Sequence, residues 1–328
     1  MAEMEYGKIE GIEKPLSRLA QGTMVLSSEK MDWSLELMDQ IYEQGCNTFD
    51  CAYIYSGGKS DLAFGEWLHT RGVRDKVVVI EKGCHHDQSG SRVNPEALKN
   101  DLETSLDRLK TDHVEIYLLH RDDPSVPVDE IVDALNEHVR KGQIKIFGGS
   151  NWRPERLEAA NAYALTKGLQ PFRVSSPNFS LAEMVQSPWG GDCVSISGPQ
   201  NKKDREWYSR QRMPLFTWSS LARGFFSGKI SRDNLDALKG ADQSSIRAYC
   251  HEVNFQRLDR VTELAKEKGL TVPQIALAYV VNQRPTLDIY ALIGCYTADE
   301  FRQAIAASAL KLTENEMAWL DLRRDRPE

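Results

Sequence analysis

The chain has 328 residues, of which 41% are hydrophobic and 27% charged, and its formal net charge is −7. That length fits two ordinary domains or one large α/β barrel, and the mild acidity carries no electrostatic footprint for nucleic acid. The start, MAEMEYGKIE, has early glutamates and no apolar leader core, and no window approaches the roughly 18 apolar residues that span a bilayer. A cytoplasmic protein with no membrane or nucleic-acid partner is expected. The cysteines Cys46, Cys51, Cys84, Cys193, Cys250 and Cys295 form no CxxC pair and read as reduced thiols.

The first segment, YGKIEGIEKPLSRL, alternates around Gly11 and is predicted to form a hairpin at the bottom of a barrel. Short β-rich runs then follow at Leu19–Met24, Cys46–Asp50, Val77–Glu81, Val114–His120, Ile144–Ser150, Phe172–Ser176, Leu215–Ser219 and Ile289–Ile293. Between them, stretches such as DWSLELMDQIYEQG and NPEALKNDLETSLDRLK place apolar residues at helical spacing. Gly45, Gly72, Gly142 and Gly168 fit helix C-termini. Eight strands, each followed by a helical stretch, predict a (β/α)8 TIM barrel, with residues 1–328 as a single domain. An open doubly wound sheet is the rival, but it would carry a glycine-rich fingerprint where the first strand here leads into AQGTMVLSS.

Two stretches break the repeat: residues 180–201 after the sixth strand and residues 222–282 between the seventh and eighth. In a barrel, both are loops of the C-terminal face, where function is usually built. The chain ends in TENEMAWLDLRRDRPE, where Thr313 and Glu316 form a capping-box pattern for a last helix.

The strand ends carry chemistry. The second predicted strand ends on Asp50, the third is followed by Lys82, and the fourth ends on His120; Tyr55 opens the turn after the second. In a parallel barrel these side chains converge at one mouth. A phenol titrates near pH 10 and is a poor proton donor unless tuned. A nearby ammonium stabilises its phenolate, and a carboxylate keeps that ammonium charged. Asp50, Lys82 and Tyr55 thus read as a relay, with His120 placed to orient a carbonyl oxygen by hydrogen bonding. The pattern suits carbonyl reduction, where hydride arrives and the oxygen needs a proton.

With these residues the chain resembles the aldo-keto reductases over nearly its whole length. The resemblance lies in NTFDCAYIY, VVVIEKG, EIYLLHRDD, FGGSNW, FTWSSLARGFFSGK and VPQIALAYVV. It implies NAD(P)H-dependent reduction of an aldehyde or ketone, with Tyr55 as general acid, Asp50 and Lys82 as its tuning pair, and His120 orienting the carbonyl. It further implies that Ser150 and Asn151 hold the nicotinamide carboxamide and that Trp218 stacks on the nicotinamide ring. Ser219, Leu221 and Gly224 would lie along the pyrophosphate, Thr23 and Met24 at the edge after the first strand, and Gly294, Tyr296 and Glu300 at the adenosine end.

The chain departs from the family pattern in three places. Ser176 stands where a glutamine usually bonds the carboxamide. Tyr296 and Glu300 fall where the family often places bases for the NADP 2′-phosphate, and Arg302 is the nearest base; a carboxylate repels a phosphate and accepts from a free ribose hydroxyl, which leaves NADP and NAD both open. Glu81 precedes Lys82 where a neutral residue is usual. On an alternating strand it points away from Lys82, which gives it a structural reading.

The loop KGCHHDQSG offers His85, His86 and Asp87, but adjacent histidines rarely reach one ion, and no metal is expected. One of these histidines could face substrate. Trp152 and Trp189, in loops after the fifth and sixth strands, are candidates for walls around a small carbonyl substrate such as a sugar or sugar-derived aldehyde, with packing of the long loops as the equal alternative. Two other functions stay open at this point. One is a regulatory subunit of the kind the family includes among potassium-channel partners. The other is an epimerase or lyase that oxidises its sugar transiently with bound nucleotide.

Overall fold

Short apolar runs make the barrel because nearly every position in them is buried, as strands covered on both faces require. The computed structural model of the chain describes residues 2–189, 191, 193–238 and 243–326. Strands β1 (Tyr6–Gly7) and β2 (Leu16–Ser17) pair antiparallel. The next eight are β3 (Leu19–Gly22), β4 (Thr48–Asp50), β5 (Val78–Gly83), β6 (Val114–Leu119), β7 (Ile144–Ser150), β8 (Val174–Ser176), β9 (Leu215–Thr217) and β10 (Ile289–Ile293). These eight follow one another in chain order around a closed parallel barrel. The helices are α1 (Met31–Glu43), α2 (Lys59–Arg71), α3 (Pro95–Arg108), α4 (Val128–Arg140), α5 (Pro154–Lys167), α6 (Lys202–Gln211), α7 (Gln243–Tyr249), α8 (Glu252–Lys268), α9 (Val272–Val281), α10 (Ala298–Ser308) and α11 (Glu314–Leu320). The eight-stranded barrel and the preceding hairpin are those predicted.

The strand ends differ from expectation in ways that matter for the site. Strand β3 stops at Gly22, and Thr23–Val25 turn into a short 3-10 helix. Strand β5 runs on through Lys82 to Gly83, because both remain paired, Lys82 with Leu118 and Gly83 with Leu119. Lys82 is thus a strand residue and inherits the strand's rigidity. Strand β9 ends at Thr217, so Trp218 and Ser219 belong to the turn beyond it, and Ser219 takes a positive φ of 55°.

Contacts divide the chain into two compact units. The first comprises Met4–Ser176 and Gly294–Phe301 and holds β1–β8 with α1–α5. Within it, the hairpin turn packs against β7: a Cβ on Gly11 would lie 2.7 Å from the Ile146 side chain. Helices α2 and α3 touch at Gly65, where a Cβ would lie 2.2 Å from the Arg108 carbonyl oxygen. Helix α3 starts where Asn94 accepts the Ala97 N–H at 2.8 Å, with Pro95 as its first residue.

The second unit comprises Met1–Glu3, Pro177–Ile293 and Arg302–Glu328. Within it, Arg257 of α8 is buried and paired with Glu183 at 2.7 Å and Asp321 at 3.4 Å. Thr313 and Glu316 form the capping box expected for α11. No helix among the described residues is long and apolar enough to cross a membrane.

Candidate active site

The first unit brings four of the predicted site residues together. Asp50 is the last residue of β4, which sets its carboxylate where the strand ends. Lys82 Nζ donates to Asp50 Oδ1 at 2.5 Å and to the Cys51 carbonyl at 2.7 Å, and both charged side chains are buried. The same ammonium lies 4.9 Å from the centre of the Tyr55 ring. The His120 ring meets Tyr55 edge-on, with centroids 6.0 Å apart. The backbone around them is fixed as well: Thr23 Oγ1 donates to the Asp50 carbonyl at 3.2 Å, and the His120 N–H donates to the Gly83 carbonyl at 2.8 Å.

Burial and charge set the protonation states. Burial opposes charge on Lys82, but the Asp50 carboxylate, which is both a charge neighbour and a hydrogen-bond partner, outweighs it and holds the ammonium's pKa above its ordinary value. Burial pushes the Asp50 carboxyl up and Lys82 pulls it back. A carboxylate–ammonium pair explains both the short contact and the rise at Lys82. Burial pushes Tyr55 up to about 12, against the pull of Lys82, so the phenol keeps its proton at neutral pH. His120 is driven well below its ordinary value by burial first and then by Lys82, and its imidazole is neutral. Its Nδ1 is buried and makes no hydrogen bond. The site thus holds a protonated phenol, a fixed cation beneath it and a neutral imidazole. That set can donate a proton to an oxygen and hydrogen-bond it.

Next to this group, β7 and β8 end side by side with Ser150 and Ser176 as register partners. Ser150 Oγ donates to the Ser176 carbonyl at 3.1 Å, and Asn151 Nδ2 donates to Ser150 Oγ and to the His120 carbonyl, each at 3.2 Å. Ser176 Oγ is buried without a partner. A buried hydroxyl with no bond is costly, and an amide group arriving there would satisfy it, which fits a nicotinamide carboxamide.

The edge after β3 and the turn after β10 are tied together. Gln21 Nε2 donates to the Cys295 carbonyl at 3.1 Å and its Oε1 accepts the Cys295 N–H at 3.2 Å. Thr23 is buried and Met24 is exposed. Gly294 approaches Val25: a Cβ there would lie 3.7 Å from its side chain. Tyr296 is exposed and lies 6.4 Å from Trp33, ring to ring, while Glu300 Oε2 accepts the Tyr296 N–H at 2.7 Å.

In the second unit, the rings of Trp218 and Trp189 lie 5.6 Å apart, and the Arg223 guanidinium covers Trp189 at 4.6 Å. Trp189 is 45% exposed, and Trp218 Nε1 is buried without a partner. The following turn closes through the Ala222 N–H to the Ser219 carbonyl at 2.7 Å and the Gly224 N–H to the Leu221 carbonyl at 3.2 Å.

Of the two readings of Trp152, substrate wall and loop packing, burial favours packing: it is fully buried, with Nε1 donating to the Arg121 carbonyl at 3.1 Å and its ring 4.9 Å from Phe172. Gly149 leaves room for it, since a Cβ there would lie 2.5 Å from the indole. Trp152 fills the space behind β7 and presents no face to a ligand.

His85, in the loop after β5, meets His120 edge-on, with ring centroids 4.7 Å apart. Burial drives it to about 4, so it too is neutral. Backbone strain also marks the site: Ser56, Cys84 and Asn151 have φ of 52°, 59° and 62°, just beyond Tyr55, Gly83 and Ser150.

A closed parallel barrel with a phenol, a buried ammonium–carboxylate pair and a neutral imidazole at its strand ends defines an NAD(P)H-dependent carbonyl reductase. The Aldo/keto reductase family model matches residues 18–322, and the chain belongs to that family. It is 28% identical to the uncharacterized oxidoreductase YrpG of Bacillus subtilis, covering 97% of this chain and 95% of that one. It is 26% identical to versiconal hemiacetal acetate reductase of Aspergillus parasiticus, over 97% of this chain and 96% of the other. A norsolorinic acid reductase of Emericella nidulans is also 26% identical, over 90% and 73% of the two chains. The crystal structure of a thermostable aldo-keto reductase, Tm1743, with the inhibitor epalrestat superposes with a TM-score of 0.73 at 22% identity, over 98% of this chain and all of that one.

Proposed function

We propose that Tyr55 is the general acid of the reduction, delivering its proton to the carbonyl oxygen of a small aldehyde or ketone. A bound nicotinamide nucleotide would supply the hydride. Lys82, held charged by Asp50, stabilises the phenolate that Tyr55 becomes, and His120 orients the oxygen as a neutral imidazole. The observation that carries this reading is the placement of one buried ammonium against both the Asp50 carboxylate and the Tyr55 ring.

The nucleotide would be held by Ser150, Asn151 and Ser176 at its carboxamide, with Asp50, Thr23 and Met24 along one edge. Trp218 would stack on the nicotinamide, with Ser219, Leu221 and Gly224 along the pyrophosphate and Gly294, Tyr296 and Glu300 at the adenosine end. Asp299 and Glu300 are the acidic residues in the first turn of α10. That charge disfavours a 2′-phosphate and favours a free ribose hydroxyl, so NADH is the better-fitting nucleotide. We take the substrate to be a small sugar or sugar-derived aldehyde, since His85 adds a polar edge beside His120, with Trp189 as a candidate apolar wall. The chain would act in the cytoplasm as a single barrel domain.

Tyr55→Phe tests the assignment. It is expected to lower kcat/KM for carbonyl reduction by about 10²–10⁴-fold, while affinity for NADH and NADPH, followed by protein fluorescence quenching, changes by less than about threefold. Near-normal turnover in that variant would show that the proton comes from elsewhere.

A further inference from the structure

Behind β5, on the face opposite the Lys82 side chain, lies a buried group of acids that the reduction itself does not use. Glu81 is fully buried. Its Oε1 accepts the Lys82 backbone N–H at 3.0 Å, and its Oε2 has no partner. Asp61 of α2 is also fully buried. Its Oδ2 accepts from Ser105 Oγ at 3.2 Å, and its Oδ1 has no partner. One donor atom from each of Glu81, Asp61 and Cys51 lies within 4.8 Å of the others.

The cations nearby do not balance two carboxylates. Arg108 of α3 reaches Asp61 only at 3.9 Å and spends one N–H on the Tyr53 carbonyl at 2.9 Å. Arg92 is taken by Asp101, one turn before Ser105 on α3, at 2.5 Å. Lys82 faces Asp50. From β6, the cross-strand neighbour of Glu81 is Tyr117, whose hydroxyl is buried and unpartnered. From the end of β4, Cys51 offers only a thiol that burial and the neighbouring acids keep protonated. Two like charges this close in a dry interior cannot both persist.

We propose that Glu81 is a positioning residue for Lys82 that carries a proton at neutral pH and shares it with Asp61, Glu81 Oε2–H donating to Asp61 Oδ1. One proton then satisfies both orphaned oxygens, and the single remaining negative charge faces Arg108. Burial, followed by the charge of Asp61, raises the Glu81 carboxyl well above its ordinary range, and burial lifts Asp61 to about 7. Neutral Glu81 pins the Lys82 main chain through Oε1 without adding a second anion behind the ammonium. If the couple lost its proton, the extra charge would raise the proton affinity of Lys82 and Tyr55 and weaken Tyr55 as an acid.

The consequence for turnover rests on the role given to Tyr55 and Lys82 above; the protonation of Glu81 does not. Difference infrared spectroscopy of the full chain at pH 7 is expected to show a protonated-carboxyl stretch that disappears in Glu81→Gln. A missing band in the wild type, a band that survives Glu81→Gln, or a stoichiometric divalent cation found by elemental analysis would overturn the proposal. In steady-state reduction, the alkaline limb of the kcat profile is expected to move up by at least one pH unit in Glu81→Gln. Superimposable limbs would remove the link to Lys82. Failure of the Tyr55 assignment is read separately, from full turnover in Tyr55→Phe, and leaves the infrared result standing.

Discussion

The Lys82 ammonium lies 2.5 Å from the Asp50 carboxylate, and both side chains are buried. Removing one partner of such a pair strands the other in a dry interior. Asp50→Asn is therefore expected to cost roughly 3–5 kcal/mol of stability in denaturant unfolding. Without the carboxylate, burial lowers the Lys82 pKa and removes the cation that supports the phenolate, so kcat should fall at least about 100-fold. The double variant Asp50→Asn, Lys82→Met should regain much of the stability and none of the activity. Activity that returned with stability would show that the pair only holds the fold.

The raised Tyr55 pKa has its own signature. A phenol held near pH 12 stays protonated across the neutral and mildly alkaline range. Tyr55 alone therefore leaves kcat for reduction level until strongly alkaline pH, and any limb below about pH 10 belongs to another group. The Glu81–Asp61 couple proposed above is the group this profile tests, because Glu81→Gln removes it. Because the folded pKa lies above the unfolded value, the linked stability is complete below pH 10 and is lost as pH rises through about 12. Comparing the pH profiles of kcat for the wild type and Glu81→Gln with alkaline unfolding curves separates these contributions.

Glu115 gives the opposite sign. Burial alone would raise its carboxyl, but His113, Arg74, Lys14 and the Val79 N–H together depress it to about 2. Lys14 and Arg74 approach its Oε1 at 2.7 and 3.1 Å, and the Val79 N–H donates to Oε2 at 2.8 Å. Its contribution is present above the unfolded carboxylate pKa and is lost as pH falls from about 4.5 to 2. Glu115→Gln should cost roughly 3 kcal/mol at pH 7 and almost nothing near pH 2. An equal penalty at both pH values would mean that the side chain's shape matters and its charge does not.

The strand-end side chains were legible in the sequence because a parallel barrel gives each strand only one place to present chemistry. Asp50 and His120 could be located from the end of an apolar run alone. Lys82 was placed one residue beyond its strand, since a lysine and a glycine look like the end of a strand until their pairing with Leu118 and Leu119 is known. Glu81 was correctly turned away from Lys82 by alternation, but what it faces could not be read: Asp61 comes from another element, and only the close approach of α2 and α3 at Gly65 brings Ser105 and Arg108 beside it. Trp152 stayed open between two readings because an indole after a strand end reads the same whether it lines a mouth or fills the space over Gly149.

That last distinction can be measured. Trp152 is fully buried against Phe172 and Gly149, so Trp152→Ala should cost about 3–5 kcal/mol in stability, whereas a substrate wall would change KM and leave the unfolding midpoint in place.

Ser176 offers the reverse pattern. Its hydroxyl is buried without a partner, so Ser176→Ala removes an unsatisfied group and should leave the unfolding midpoint unchanged or slightly raised. If that hydroxyl meets the carboxamide, the same variant loses one hydrogen bond in the complex, and affinity for NADH should fall about 3- to 10-fold, the equivalent of about 1 kcal/mol. Fluorescence titration of wild type and variant reads this directly, with thermal unfolding of the free proteins as the control. Unchanged affinity would free Ser176 from the nucleotide site and leave Ser150 and Asn151 to hold the carboxamide.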